Sequence, residues 1–288
     1  MSVDCLFATC DIVPSLDPDD RMPVEALRRR GLNVTTAIWN DPQVDWGAAR
    51  LCLVRSTWDY HHSYGEFIAW IERVSARTVL KNDPAILRWN AHKSYLRDLE
   101  LCGVPVVPTV WAQRGERHRL AEVRAARGWT ELVLKPARGA AGHNVMHVRA
   151  DGASLEAGQR LLDALLQSED VLVQPFLDSV TRYGERALIF IGGRYSHAVV
   201  KKAFDKSLVV GDEPSMLVAP TGEEMSVARR ALAAIPGDVL YARIDLINDA
   251  DGHPHVSELE LIEPGLYFAV HEPASEAFAD VVERELAA

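Results

Sequence analysis

Several familiar signals are missing from this sequence, and each absence removes a class of function. The chain has only four cysteines, Cys5, Cys10, Cys52 and Cys102. They form no CxxC pair, and none stands at zinc-like spacing from a histidine, which argues against a disulfide scaffold or a zinc finger. Reduced thiols in a cytoplasm are the expectation. No apolar run approaches the roughly 20 residues of a membrane-spanning helix. The opening stretch MSVDCLFATCDIVPSLDPDD lacks a basic lead and a long apolar core, so no signal peptide is expected. Positive charge is scarce too: 31 Lys and Arg against 41 Asp and Glu give a net charge of −10. That balance disfavours a nucleic-acid or anionic-membrane surface, while leaving room for a local basic pocket. Neither GxxxxGK[ST] nor GxGxxG occurs, so two common glycine-loop nucleotide motifs are absent. There is no internal repeat, low-complexity segment or long linker.

What remains is an ordinary globular composition, 48% apolar and 25% charged, over 288 residues. That length fits one large domain or two to three small ones. The first part alternates strand and helix. Residues 5–9, 33–39 and 51–55 read as strands and 24–30 as a helix, with an acidic, proline-punctuated loop over 11–23. This pattern predicts a small α/β layer with a parallel sheet. Ligands of such sheets bind beyond the carboxyl ends of strands, which points to Arg55, Ser56, Trp58 and Tyr60. There Arg55 would grip a substrate carboxylate by a two-pronged contact, and Trp58 and Tyr60 would form a wall. The alternative is a loop whose aromatics cover the core and whose Arg55 pairs with Asp59.

Residues 85–101 carry helical spacing and predict one helix with Lys93 inside it; residues 104–110, with Pro105 and Pro108, predict an extended edge strand. The stretch 131–148, ELVLKPARGAAGHNVMHV, reads as strand, small-residue loop, strand. Gly139, Ala140, Ala141 and Gly142 would let backbone N–H groups approach an anion, and Lys135 adds a positive charge. Residues 170–177 form a strand ending at Gln174, Pro175, Phe176 and Leu177. Its main chain either reads an adenine edge or is simply a strand end. Strands over 185–191 and 194–201 meet at a Gly192-Gly193 turn and bring Arg186 and Lys201 into one sheet region. Residues 204–216 read as a loop, and 221–235 and 276–287 as helices.

The most informative stretch is 241–267, YARIDLINDADGHPHVSELELIEPGLY. It reads as two strands joined by a tight turn at 248–252. Successive side chains on a strand alternate faces, so Glu258 and Glu260 share one face and Asp245 lies within cross-strand reach. Three converging carboxylates repel one another unless a hard divalent cation such as Mg²⁺ neutralises them. The alternative is a solvated acidic face.

Taken together, Lys93, the Lys135-Pro136 to Gly142 loop, the VQPFL strand end, the GER strand, Asp245 and ELELIEP resemble the ATP-grasp superfamily, in its glutathione-synthetase-like branch. Many relatives carry Asn where this chain has Glu260. The resemblance implies a mixed α/β fold. An N-terminal substrate domain (1–90) precedes a central ATP-grasp subdomain with the flap (91–177) and a C-terminal subdomain with the metal-binding carboxylates (178–288). It implies ATP and Mg²⁺, with Mn²⁺ as a substitute, and Asp245, Glu258 and Glu260 as metal ligands. Lys93 and Lys135 would clamp phosphates, residues 139–142 would cover them, residues 174–177 would hold adenine and Glu185 the ribose. Arg186, at the γ-phosphate, and Lys201 would be the catalytic cations. Arg55, Ser56, Trp58, Tyr60, Arg243, Glu263, Gly265 and Tyr267 would line the substrate end. The RSTWDY segment and the ELELIEPGLY ending resemble the cyclo-ligases that close the D-cycloserine ring from O-ureido-D-serine, a role in antibiotic biosynthesis. In this chemistry a carboxylate becomes an acyl phosphate and a nitrogen displaces the phosphate. Another small amino-acid or peptide ligase, a kinase-like phosphotransferase and an ATP-binding module without turnover stay open. The expected partner is a small amino-acid-like substrate, with no nucleic acid or membrane; a homodimer is allowed.

Overall fold

The computed structural model describes residues 3–139, 142–201 and 216–288. Ala140 and Ala141 of the small-residue loop lie outside the described residues, as does nearly all of the loop expected over 204–216. Three sheets organise the chain. The first is parallel, in the order β2-β1-β3-β4, from β1 (Val3–Thr9), β2 (Val34–Ile38), β3 (Ala49–Ser56) and β4 (Val79–Lys81). Helix α1 (Pro18–Arg29) covers one face, while α2 (Tyr64–Ser75) packs Phe67, Trp70 and Ile71 with Trp39 and Trp46 on the other.

Helix α1 starts earlier than the sequence pattern predicts, because the expected loop over 11–23 turns helical at Pro18. Asp17 caps it by accepting the Asp19 N–H at 2.9 Å, and Pro18 at the first position has a φ already suited to a helix. Pro23 sits inside the helix and costs one backbone hydrogen bond. Tertiary ties offset that loss: Asp20 holds Arg55 and Ser56 of β3, and Asp19 accepts the Ala269 N–H.

The predicted helix over 85–101 is two helices, α3 (Pro84–Asn90) and α4 (Tyr95–Leu101), with Lys93 in the break. The Asn90 side chain donates to Leu259 O and accepts from Leu261 N, both at 2.8 Å. The Lys93 N–H reaches Ala137 O at 2.8 Å rather than a carbonyl one helical turn back. Of the predicted strand over 104–110, Val106 bridges to Val256, and β5 starts only at Val110. Pro105 and Pro108 lack the N–H a longer ladder needs.

The middle sheet is antiparallel, β5-β8-β6-β7, from β5 (Val110–Ala112), β6 (Leu132–Pro136), β7 (Met146–Val148) and β8 (Val171–Pro175). Helices α5 (Leu120–Arg127) and α6 (Gly152–Leu165) close its core. A short helix α7 (Ser179–Arg182) leads into the third sheet. That sheet is antiparallel, β11-β10-β9-β12-β13, from β9 (Glu185–Ile191), β10 (Arg194–Lys201), β11 (Met216–Val218), β12 (Tyr241–Asn248) and β13 (Pro254–Glu260). Its two faces bury different sets. Leu188, Phe190, Ala242 and Ile244 pack with α4 and with α8 (Gly222–Ala233). Ala187, Ile189, Val199 and Tyr241 join the core of the first sheet, where Phe278 of the last helix, α9 (Pro273–Ala287), stacks on Tyr241 and meets Phe7.

Candidate active site

The second of those faces changes character along its length. Near Tyr241 it is apolar core; two and four residues on, the same face presents Arg243 and Asp245. The hairpin register sets Arg243 opposite Glu260 and Asp245 opposite Glu258. Cross-strand partners share a face, so the predicted convergence of carboxylates is present. One oxygen each from Asp245, Glu258 and Glu260 lies within 4.8 Å of the others. Asn82 pins the open end of this hairpin by donating to Tyr241 O and Leu261 O and accepting from Leu240 N.

Cations crowd this cluster. Lys201 Nζ lies 2.6 Å from Asp245 Oδ2 and 3.0 Å from Glu185 Oε2. The Arg243 guanidinium donates to Asp245 at 3.0 Å and also bonds Glu260. Lys93, freed by the helix break, reaches Glu258 at 2.8 Å and Gly139 O at 3.0 Å. Lys135 makes no ion pair among the described residues, yet its charge is felt at Glu258. Burial alone would raise the Glu258 pKa, but Lys93 and Lys135 hold it below the ordinary carboxylate range. Burial pushes the Glu260 pKa up to about 7; Arg243 pulls against that rise, and Glu258 and Asp245 add to it. Glu263 is pushed well up by burial and then by Glu260. The site therefore balances clustered hard oxygen donors against a ring of fixed positive charge. Such donors fit Mg²⁺, which takes carboxylate and phosphate oxygens.

Other candidates fall into place around this centre or away from it. Glu185 is bound into the same network, accepting from Ser257 Oγ at 2.6 Å. The Gly265 carbonyl accepts from Arg243 Nη1 at 3.3 Å, and the Tyr267 ring lies 5.9 Å from the Arg243 guanidinium. At the β8 end, Gln174 is buried and donates to Thr109 Oγ1, and Phe176 stacks on His147 with ring centroids 3.8 Å apart. The Phe176 N–H is already spent on Glu131 O, so of these four residues it is Leu177 whose N–H faces no partner among the described residues. Gly142 takes the left-handed φ of +68° that suits a glycine.

Two expectations need correction. Arg186 is not beside the carboxylates. Alternation puts it on the opposite face of β9 from Glu185, where its guanidinium lies 4.1 Å from the Tyr183 ring centroid and 3.8 Å from Glu224. The arginine that occupies the expected place is Arg243. Arg55 is not an open cation at the sheet mouth either. It is 1% exposed, bonds Asp20 at 2.7 and 3.0 Å, and donates to Pro264 O. It does not pair with Asp59, which instead accepts from Trp39 Nε1 at 2.7 Å. Ser56 is buried against Asp20. The Tyr60 ring packs on Phe67 rather than forming an open wall, while burial and then Glu263 hold its pKa up. Trp58 is partly exposed beside it. Asp20, Asn82 and Asn90 escape a sequence reading, because each acts on residues far along the chain.

Three antiparallel and parallel sheets arranged around a carboxylate hairpin and a glycine loop define the ATP-grasp fold. The ATP-grasp ligase PsnB, solved in complex with its precursor peptide PsnA2 and AMPPNP, superposes with a TM-score of 0.66 over 99% of both chains at 16% identity. Residues 5–82 match the family described as D-cycloserine synthetase DcsG, N-terminal domain. The cycloserine biosynthesis protein DcsG of Streptomyces lavendulae is 35% identical over 291 residues, 94% of this chain and 96% of that protein. The crystal structure of D-cycloserine synthetase DcsG has a TM-score of 0.89 at 32% identity, covering 98% of this chain and 99% of that one. The chain belongs to the DcsG family of ATP-grasp proteins. No described helix is long and apolar enough to cross a membrane.

Proposed function

We propose that this protein is an ATP-dependent carbon–nitrogen ligase that closes the D-cycloserine ring from O-ureido-D-serine. The observation that carries the proposal is the carboxylate trio of Asp245, Glu258 and Glu260, ringed by Lys93, Lys201 and Arg243. The trio would hold Mg²⁺, or Mn²⁺ in its place; the ion, when bound, neutralises phosphate charge. Lys93 and Lys135 would clamp the ATP phosphates. Lys201 and Arg243 would stabilise charge that develops as the γ-phosphoryl passes to the substrate carboxylate and ADP leaves. The oxygen-bound substrate nitrogen then attacks the acyl carbon, loses its proton, and phosphate departs with the bonding pair; water must also cleave the carbamoyl group from that nitrogen, which leaves as carbon dioxide and ammonia while the ring nitrogen takes a proton. Residues 139–142 would lie over the nucleotide, and the Gln174 to Leu177 stretch would border adenine, with Glu185 a candidate for the ribose. Water exclusion matters here because a wetted acyl phosphate hydrolyses.

For the substrate, Glu263, Tyr267 and Tyr60, which feel the charges of the cluster, would form its border together with Trp58. Glu263, which makes no ion pair among the described residues, would suit the amino group of an amino acid, while Arg55 and Ser56 would shape that wall from behind through Asp20. The test is turnover with ATP, Mg²⁺ and O-ureido-D-serine, followed by ADP release and product mass. The expected result is ADP, phosphate and D-cycloserine, with the carbamoyl group released as carbon dioxide and ammonia. ADP with a stable phosphorylated acid would instead mark a phosphotransferase, and no ADP with any amino or ureido acid would overturn the ligase reading.

A further inference from the structure

The turn after β3 and the loop between β6 and β7 bring three imidazoles together. We propose that His61, His62 and His143 form a binding site for a borderline transition-metal ion of the zinc class, distinct from the Mg²⁺ site. One ring nitrogen from each lies within 4.8 Å of the other two. Their ring centroids are 4.0, 4.9 and 5.1 Å apart. Zinc–nitrogen bonds of about 2.0–2.1 Å place tetrahedral ligand atoms roughly 3.4 Å apart, so a modest closure completes the set. His62 and His143 are exposed and free to make it by turning their rings.

His61 supplies the independent reason to expect an ion. Both of its ring nitrogens are buried, and apart from the Trp58 backbone neither has a hydrogen-bond partner among the described residues. Buried polar atoms are ordinarily bonded, so a ring with two buried nitrogens and so little to bond is suited to an added ligand. Burial and the neighbouring His62 and His143 rings push its pKa down to about 4, which keeps it in the neutral form that ligates. The Lys93 charge pushes in the same direction.

The donor chemistry sorts the two sites. Three imidazoles suit zinc, copper or nickel and have little use for Mg²⁺, whereas the carboxylate trio takes Mg²⁺. Three protein ligands would leave a fourth position open for water or a ligand atom. A bound ion would tie together two segments far apart in sequence, the turn Tyr60–Ser63 and the loop that carries His143.

The test is a calorimetric titration of Zn²⁺ into the full-length protein in excess Mg²⁺. One Zn²⁺ per chain is expected in the wild type and in Glu258→Gln. His62→Ala and His143→Ala should each weaken it by at least about tenfold, since even outer-shell changes cost that much. Both residues are on the surface, so the variants should fold; melting curves check this and should show a Zn²⁺-induced rise in the wild type and Glu258→Gln that is smaller in the two histidine variants. Wild-type protein that binds no Zn²⁺, or Zn²⁺ affinity unchanged in both histidine variants, overturns the proposal. So does Zn²⁺ binding that disappears in Glu258→Gln, because the ion would then occupy the carboxylates.

Discussion

Arg55 and Arg243 are buried to a similar degree, 1% and 8% exposed, and each is gripped by an aspartate, yet their surroundings differ in charge balance. Around Arg55 one carboxylate, Asp20, takes the guanidinium, the Pro264 carbonyl accepts from the same side chain, and the Ser56 hydroxyl donates to Asp20. Positive and negative charge match one to one in this pair, and the one guanidinium nitrogen outside it, Nη1, is buried with no hydrogen-bond partner among the described residues. Around Arg243, Asp245 and Glu260 share a single guanidinium, Asp245 also takes Lys201, and Glu258 takes Lys93. Glu263 adds a carboxylate with no ion pair among the described residues. A sealed pair of the first kind ties β3 to α1. A crowded set of the second kind gathers carboxylates that raise one another's pKa, as Glu258 and Asp245 do for Glu260, and such like-charge crowding suits a site for a cation.

Breaking the sealed pair should have the largest effect on stability. Asp20→Ala leaves Arg55 buried without its counter-charge, which typically costs about 3–5 kcal/mol. Denaturant unfolding should show that loss; a change within 1 kcal/mol would mean that the pair is dispensable. At the crowded site, Lys135→Ala should leave stability nearly unchanged but weaken nucleotide binding by roughly ten- to hundredfold, the worth of a charge-assisted contact. Calorimetry with an ATP analogue measures it, and unchanged affinity would separate Lys135 from the phosphates.

A third buried base sharpens the contrast, because it has no carboxylate at all. His197 is 4% exposed and faces His271; burial and then that neighbour push its pKa down to about 4. Between pH 6.5 and 4 the unfolded chain therefore binds the proton that the folded chain refuses, and stability must fall as pH drops through that window. The expected loss from this group by pH 4 is about 3 kcal/mol. His197→Asn should flatten the unfolding curve over that window, and an equally steep fall in the variant would assign the effect elsewhere.

How much of this was legible in the sequence depends on range. The hairpin declared itself through alternation and a turn, so Asp245, Glu258 and Glu260 were readable from local spacing. Parity also carried information that a simple list of basic residues conceals: Glu185 and Arg186 are neighbours on a strand, so only one can face the site. Lys93 escaped its expected helix because Asn90 and the Lys93 backbone are bonded to β13 and Ala137, contacts that no local pattern reveals. Asp20 was read as loop for the same reason, since its value lies in Arg55, 35 residues on. His61 and His62 are adjacent in sequence, but His143 joins them only through the packing of the glycine loop.

The most direct test of the carboxylate site is the Mg²⁺ dependence of ATP-analogue binding in wild type and Glu258→Gln, measured by calorimetry alongside turnover. Wild-type affinity should rise when Mg²⁺ is added. Glu258→Gln, melting close to the wild type, should lose that rise and at least about 99% of turnover, a change in barrier of roughly 2.7 kcal/mol. A well-folded Glu258→Gln with the same Mg²⁺ response and near-normal turnover would contradict the assignment of this hairpin as the metal and nucleotide site.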